Sequence, residues 1–245
     1  ASDHVIDMRC VDRFIQVDWE RGVMVAEAGV TLAMILAISI PNGWFLLVTP
    51  GTRFATLGGC IANDVHGKNH HRRGTFGNHV ARFGLVRAGQ SMTCSASEHA
   101  DLFEATIGGL GLTGVIEWAE IRLVPIHSSQ VDTTTVRFGE LADFFSLSGE
   151  LDQQHEYSVA WVDCLAKGRR TGRGVFIVGD HASSGRLQLQ APRKLRMPLT
   201  PPVSLVNLRP AFARTAVSVG SRPARVDSMN STSTSWKCDS PFLSA

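Results

Sequence analysis

The stretch from Pro50 to His79, PGTRFATLGGCIANDVHGKNHHRRGTFGNH, constrains this chain more than any other. Thirty residues hold six glycines and four of the nine histidines, with no long apolar run. A single helix or strand through it is excluded, because glycine loses more backbone freedom on ordering than any other residue. The segment must take its shape from flanking elements or from a ligand.

The flanks supply such elements. Phe14, Ile15 and Val17, then Val23, Met24 and Val25, are strand-length apolar runs split by Asp18, Glu20, Arg21 and Gly22, which predicts a hairpin. A shorter burst, Val5 and Ile6, precedes them. The run from Val30 to Val48 carries no charge, but Pro41, Asn42 and Gly43 break it. Crossing a bilayer takes about 20 predominantly apolar residues, so this run reads as a helix (Thr31 to Ile40), a turn and a buried strand (Trp44 to Val48) rather than a membrane span.

Beyond His79, Val80 to Val86 predicts a strand that pairs with Met92 to Cys94 across Gly89 and Gln90. Glu98 to Thr106 has helical spacing, and Val115 to Val124 alternates as a strand, with Ile116, Trp118, Ile121 and Leu123 apolar. Pro125 marks a boundary. Val131 to Phe138 (strand), Glu140 to Gln154 (helix), Tyr157 to Cys164 (strand) and Gly174 to Val178 (strand) then begin a second α+β unit. Residues 201–245, rich in Pro, Arg, Ser and Thr, are expected to form an atypical, poorly ordered tail.

Hydrophobic residues at 44% and charged residues at 19% fit a globular protein, and a net charge of +2 does not point to nucleic acid. The five cysteines form no CxxC pair, which argues against a disulfide framework or a zinc site and for a reducing, cytoplasmic setting. The opening residues, ASDHVIDMRC, lack the basic-then-apolar pattern of a signal peptide.

Within the central stretch, Thr56, Leu57, Gly58 and Gly59 offer a turn whose amides suit a nucleotide pyrophosphate. Neither GxGxxG after a strand nor GxxxxGK[ST] occurs, so Rossmann and P-loop readings fail. His66 and His70 stand four apart, as two metal ligands on a helix would, but Gly67 disfavours that helix and Lys68 opposes a cation, so no metal is expected. His66 and Lys68 either belong to a hydrogen-bonded loop or line a pocket for an anionic or electron-rich ligand. No GxSxG is present, and Cys94 and Cys164 lack the setting of a nucleophile.

The strings VTPGTRFATLGGCIANDVHGKNHHRRGTFGNHV and DLFEATIGGLGLTGVIEWAEIRLVPI resemble FAD-linked oxidases of the vanillyl-alcohol-oxidase type, with a PCMH-type FAD-binding domain. Within that family they are similar to the branch that oxidises a polyprenyl-phosphate-linked pentose, a cell-wall arabinan precursor. The resemblance implies an α+β fold: a partial FAD-binding domain over residues 1–126, lacking its N-terminal part, then the start of an antiparallel-sheet substrate or cap domain over 127–200. It implies non-covalent FAD, hydride transfer from a secondary alcohol of a sugar-like substrate, and a separate reductase as partner. A membrane-associated or periplasmic setting enters through that substrate.

Carried across by position, Gly51, Thr56, Leu57, Gly58, Gly59, Asn63, Asp64, Val65, His66 and Ile116 correspond to flavin-contacting residues. His66 and Lys68 correspond to catalytic residues beside the ring. The family's first glycine-rich flavin loop would precede Val5, and residues 208–245 match nothing in its C-terminal half. An inactive fragment, or a non-catalytic flavin- or ligand-binding module, is therefore the alternative expectation.

Overall fold

The computed structural model describes residues 6–189. The expected tail, 201–245, lies outside them, as does Val5.

The first hairpin forms from β1 (Phe14–Asp18) and β2 (Val23–Glu27). Its turn is held by Asp18, whose Oδ1 accepts hydrogen bonds from the amides of Glu20 and Arg21, both at 3.0 Å. Gly22 closes the turn at φ +64°, a left-handed conformation that favours glycine. Ile6, by contrast, belongs to no strand and is 70% exposed.

The uncharged segment that follows becomes α1 (Leu32–Ser39), capped by Thr31 Oγ1, which accepts from the Met34 amide. A 3₁₀ turn over Ile40–Asn42 and Gly43 at φ +80° reverse the chain into β3 (Trp44–Leu46), shorter than the strand expected through Val48. Among the described residues no helix is long and apolar enough to cross a membrane.

Two further helices, α2 (Leu57–Ala62) and α3 (His70–Arg73), lie within the glycine- and histidine-rich stretch. Then come β4 (Val80–Arg87) and β5 (Gln90–Ser95), paired through a tight turn at Ala88 and Gly89, and α4 (Ala100–Thr106). The 11-residue β6 (Val115–Pro125) is the spine of the sheet, pairing antiparallel with β2, β3 and β4. The strand order is β1-β2-β6-β4-β5, with β3 attached to the far end of β6.

The alternation read along β6 holds only in part. Ile116 is buried, but further along the buried residues are Ala119, Ile121 and Leu123, so the inward face changes phase. The pairing with β4 is irregular at this point, between Gly84 and Leu85, and a bulge of this kind shifts which side chains face the core. Trp118 lies on the other face, over Gly84, where a Cβ would stand 2.2 Å from the indole Nε1.

One core joins these elements. Met24, Ile35, Leu57, Ile61, Phe83 and Ile121 are all at most 1% exposed, so α1, α2 and the sheet bury their apolar faces together.

A second sheet has the order β7-β9-β8, from β7 (Val131–Phe138), β8 (Tyr157–Val162) and β9 (Gly174–His181), all antiparallel. Helix α5 (Leu141–Leu151) covers one face, where Phe144 and Leu147 pack on Phe138, Phe176 and Val178. Antiparallel sheets with helices on one side make this an α+β fold.

Candidate functional site

The glycines of the central stretch serve the protein's own packing first. The Leu57 amide donates to the Val30 carbonyl and the Gly58 amide to the Ala28 carbonyl, each at 2.8 Å. The Gly59 amide donates to Thr56 Oγ1 at 3.2 Å, making Thr56 the N-cap of α2. Neither Gly58 nor Gly59 has positive φ. Glycine is required at 58 because a Cβ there would lie 2.9 Å from Ala28 Cβ and 3.3 Å from its carbonyl oxygen. The turn read as a set of amides aimed at a pyrophosphate is thus the first turn of a short helix, with those amides already bonded.

The next residues tie α2 to its neighbours. Exposed Asn63 donates from Nδ2 to the Gly59 carbonyl at 2.9 Å, and Asp64, at φ +41°, accepts from the Gly77 amide at 2.8 Å. Val65 exchanges backbone hydrogen bonds with Cys60 and Phe76. The GLGLTG turn is strapped to the end of the same helix, through Gly108 N to Ile61 O and Leu110 N to Ala62 O. Ile116 sits in the core of β6, opposite Leu85. None of Thr56, Leu57, Gly58, Gly59, Asn63, Asp64, Val65 and Ile116 lines the principal cavity.

Gly51, His66 and Lys68 do. That cavity, of about 280 Å³, is bordered by Thr49, Pro50 and Gly51 before α2, by His66, Lys68 and His70 after it, and by Phe45 from β3. Val131, Tyr157, Ser158 and His181 contribute from the second sheet. Partial burial lowers the Lys68 pKa. The His66 and His70 rings stand edge to face with centroids 5.9 Å apart. Among the described residues no group of three or more His, Cys, Asp or Glu side chains is arranged to hold a metal ion.

The rest of the histidine-rich segment grips the second sheet. Asn69, 1% exposed, donates from Nδ2 to the Leu47 carbonyl at 2.8 Å and to Glu156 Oε1 at 2.9 Å. Arg73 Nε donates to the same carboxylate oxygen at 2.8 Å. Arg72 Nη1 donates to the Gln153 carbonyl, His71 Nε2 to the His155 carbonyl, and the Ser158 amide to the Lys68 carbonyl. Asp180 fixes the other side of this junction by accepting from the Glu156 amide and bonding His155 Nδ1. Alternate residues of one short segment therefore divide the work: His66, Lys68 and His70 face the cavity, while Asn69, His71, Arg72 and Arg73 hold its far wall in place.

Thr49, Tyr157 and His181 are among the lining residues that the sequence did not mark as part of a site. Tyr157 is the one tyrosine of the chain, a signal that was available. His181 carried no signal, since only folding brings the end of β9 beside Tyr157.

With this geometry in place, comparison with known proteins identifies the fold. Residues 1–95 match the FAD binding domain family, and the fold is that of a PCMH-type FAD-binding domain. It is 34% identical over 215 residues to decaprenylphosphoryl-β-D-ribose oxidase of Mycolicibacterium smegmatis, covering 83% of this chain and 47% of that protein. An uncharacterised Streptomyces coelicolor protein is 38% identical over 165 residues, covering 67% of this chain and 45% of that one. The chain thus spans about half the length of the curated relatives it matches. Among solved structures, an alkyldihydroxyacetonephosphate synthase superposes with a TM-score of 0.60 at 15% identity, over 71% of this chain and 37% of that one.

FAD is the cofactor of this family, and the cavity suits part of it. Ligand pockets commonly enclose about 300–1,000 Å³, so 280 Å³ accommodates one end of a dinucleotide rather than the whole. A Cβ on Gly51 would meet no atom within 4 Å, leaving one edge open to a flat ring. Phe45, Val131 and Tyr157 give apolar walls, and Lys68 adds a cation beside them. This donor set fits the isoalloxazine end. The bonded amides of α2 do not offer themselves to the pyrophosphate.

Proposed function

We propose that this chain carries the redox site of an FAD-dependent oxidoreductase that oxidises a secondary alcohol of a sugar-like substrate, such as a polyprenyl-phosphate-linked pentose. The observation that carries the reading is the joint presence of Gly51, His66 and Lys68 on one cavity with the second sheet as its far wall. In this proposal the part up to residue 126 holds FAD without a covalent tether. The part from 127 begins the substrate domain, and a separate reductase processes the product.

FAD, when bound, would supply the acceptor for the hydride, which carries both electrons. The protein's own groups supply orientation and charge. The Lys68 ammonium, partly withdrawn from water, favours a ligand that carries or develops negative charge, because charge interactions strengthen where water is excluded. His66, exposed at the cavity edge, is placed to exchange a hydrogen bond with an incoming hydroxyl. The junction through Asn69, Arg73 and Glu156 fixes the distance between these residues and the second sheet.

Lys68→Ala is expected to leave FAD bound and to lower the rate of flavin reduction by a short polyprenylphosphoryl pentose about 100-fold or more, the range for loss of one charge-stabilising group. Stopped-flow absorbance of the flavin measures it. Wild-type reduction rates in the variant would remove Lys68 from the site. Acid precipitation should release all flavin into the supernatant, and yellow protein in the pellet would refute the non-covalent assignment.

A further inference from the structure

We propose that one face of the second sheet, running outward from the cavity to Trp161, is the track on which the isoprenoid chain of a polyprenyl-linked substrate lies. The assignment rests on the alcohol-oxidising reading above and says what the rest of that substrate touches.

The register of the sheet decides which side chains share this face. Tyr157, Val159 and Trp161 of β8 pair with Gly179, Ile177 and Val175 of β9. On β7, Val131 pairs with His181 and Thr135 with Ile177. Directly paired residues point to the same side of a sheet, and every second residue along a strand repeats it. Helix α5 occupies the opposite side, where Phe176, Val178 and Ala160 lie.

The inner end of the face belongs to the cavity, because Val131, Tyr157 and His181 are three of its walls. From there the face stays apolar but loses cover. Among the described residues, the apolar side chains packed on buried Val131 and Tyr157 are the half-buried Val159 and Ile177 of the sheet itself, and Trp161 beyond them is 68% exposed. Between Val131 and Arg137, β7 advances ~20 Å at the usual strand rise. The acidic residues of the three strands, Asp132 and Asp180, pair with each other on the α5 side.

Continuity with the cavity selects the occupant. A sugar held beside Lys68 and His66 leaves its tail to run outward, and the surface it meets is this face. An isoprenoid chain brings branched apolar surface and no hydrogen-bonding group. Val159, Ile177, Val175 and the Trp161 indole cover such a chain without leaving a polar group unpaired.

Calorimetric titration of the full chain with FAD present, using farnesyl phosphate and dimethylallyl phosphate as probes, tests this without requiring turnover. Farnesyl phosphate should bind about 100-fold or more tightly than the short probe, from the apolar area that the longer chain buries, and with the negative heat-capacity change that marks such burial. Trp161→Glu and Thr135→Glu, both at exposed positions of this face, should each weaken farnesyl phosphate about tenfold or more, as loss of an apolar contact does. Both should leave dimethylallyl phosphate unaffected. Val162→Glu, on the α5 side, should change neither. Equal affinity for the two probes, or wild-type affinity for farnesyl phosphate in Trp161→Glu and Thr135→Glu, would overturn the track. So would a sedimenting mass of two chains that Trp161→Glu halves, which would give the face to a second copy. If farnesyl phosphate binds as stated while farnesylphosphoryl-ribose leaves the flavin oxidised, the alcohol reading falls and the track stands.

Discussion

A Gly58→Val chain is expected to lose roughly 3 kcal/mol of stability, the upper end for forcing extra methyl groups into a packed site. The added Cβ would meet Ala28 at 2.9 Å, and the obstacle includes the Ala28 carbonyl that accepts the Gly58 amide. Neither group is the mobile end of a side chain, so relief requires α2 to move off the end of β2. That movement would carry Asn63 to His66 with it. For a domain of this size each kcal/mol corresponds to about 2–4 °C in Tm, so a thermal scan should show a fall near 10 °C. A wild-type Tm with flavin binding abolished would mean instead that residue 58 touches the cofactor directly.

The second large effect is expected at Glu156. Its carboxylate accepts from both Asn69 Nδ2 and Arg73 Nε, and its side chain is 20% exposed. Glu156→Ala leaves those donors short of an acceptor, which costs roughly 1–3 kcal/mol. The value should fall in the lower half, because the Arg73 side chain is 39% exposed and can turn to water. Burial alone would raise the Glu156 pKa, but the hydrogen bonds from Arg73 and Asn69 outweigh it and hold the carboxyl below its ordinary value of 4.5. A carboxyl depressed on folding contributes stability above its unfolded pKa and loses it as pH falls through the folded one. The difference in urea midpoint between wild type and Glu156→Gln should therefore be full at pH 7 and shrink steadily below 4.5. A difference that stays constant down to pH 3 would show that the ion pair contributes nothing.

The legible parts of the fold were those set by local chemistry. Asp18 and Gly22 announce the first hairpin, Pro41 to Gly43 divides α1 from β3, and Pro125 ends β6. The phase change along β6 was hidden, because its extra residue, Glu117, shows only once Trp118 and Ile116 are paired with the consecutive Gly84 and Leu85. In the central stretch the residue types marked a site, and His66, Lys68 and Gly51 line one cavity. The same residue types concealed a second task. Asn69 meets a partner 87 positions away, and no spacing rule connects HGKNHH to Glu156. Gly58 was open to two physical explanations, ligand approach and backbone approach, and only the position of Ala28 separates them.

The central claim is that this cavity receives the flavin. Titrating the full chain with FAD while recording both flavin fluorescence and histidine ¹H–¹⁵N spectra tests it most directly. Saturation is expected at one FAD per chain, with the His66 and His70 resonances shifting along the same curve. Fluorescence that never saturates, or saturation that leaves both imidazoles unmoved, would contradict it.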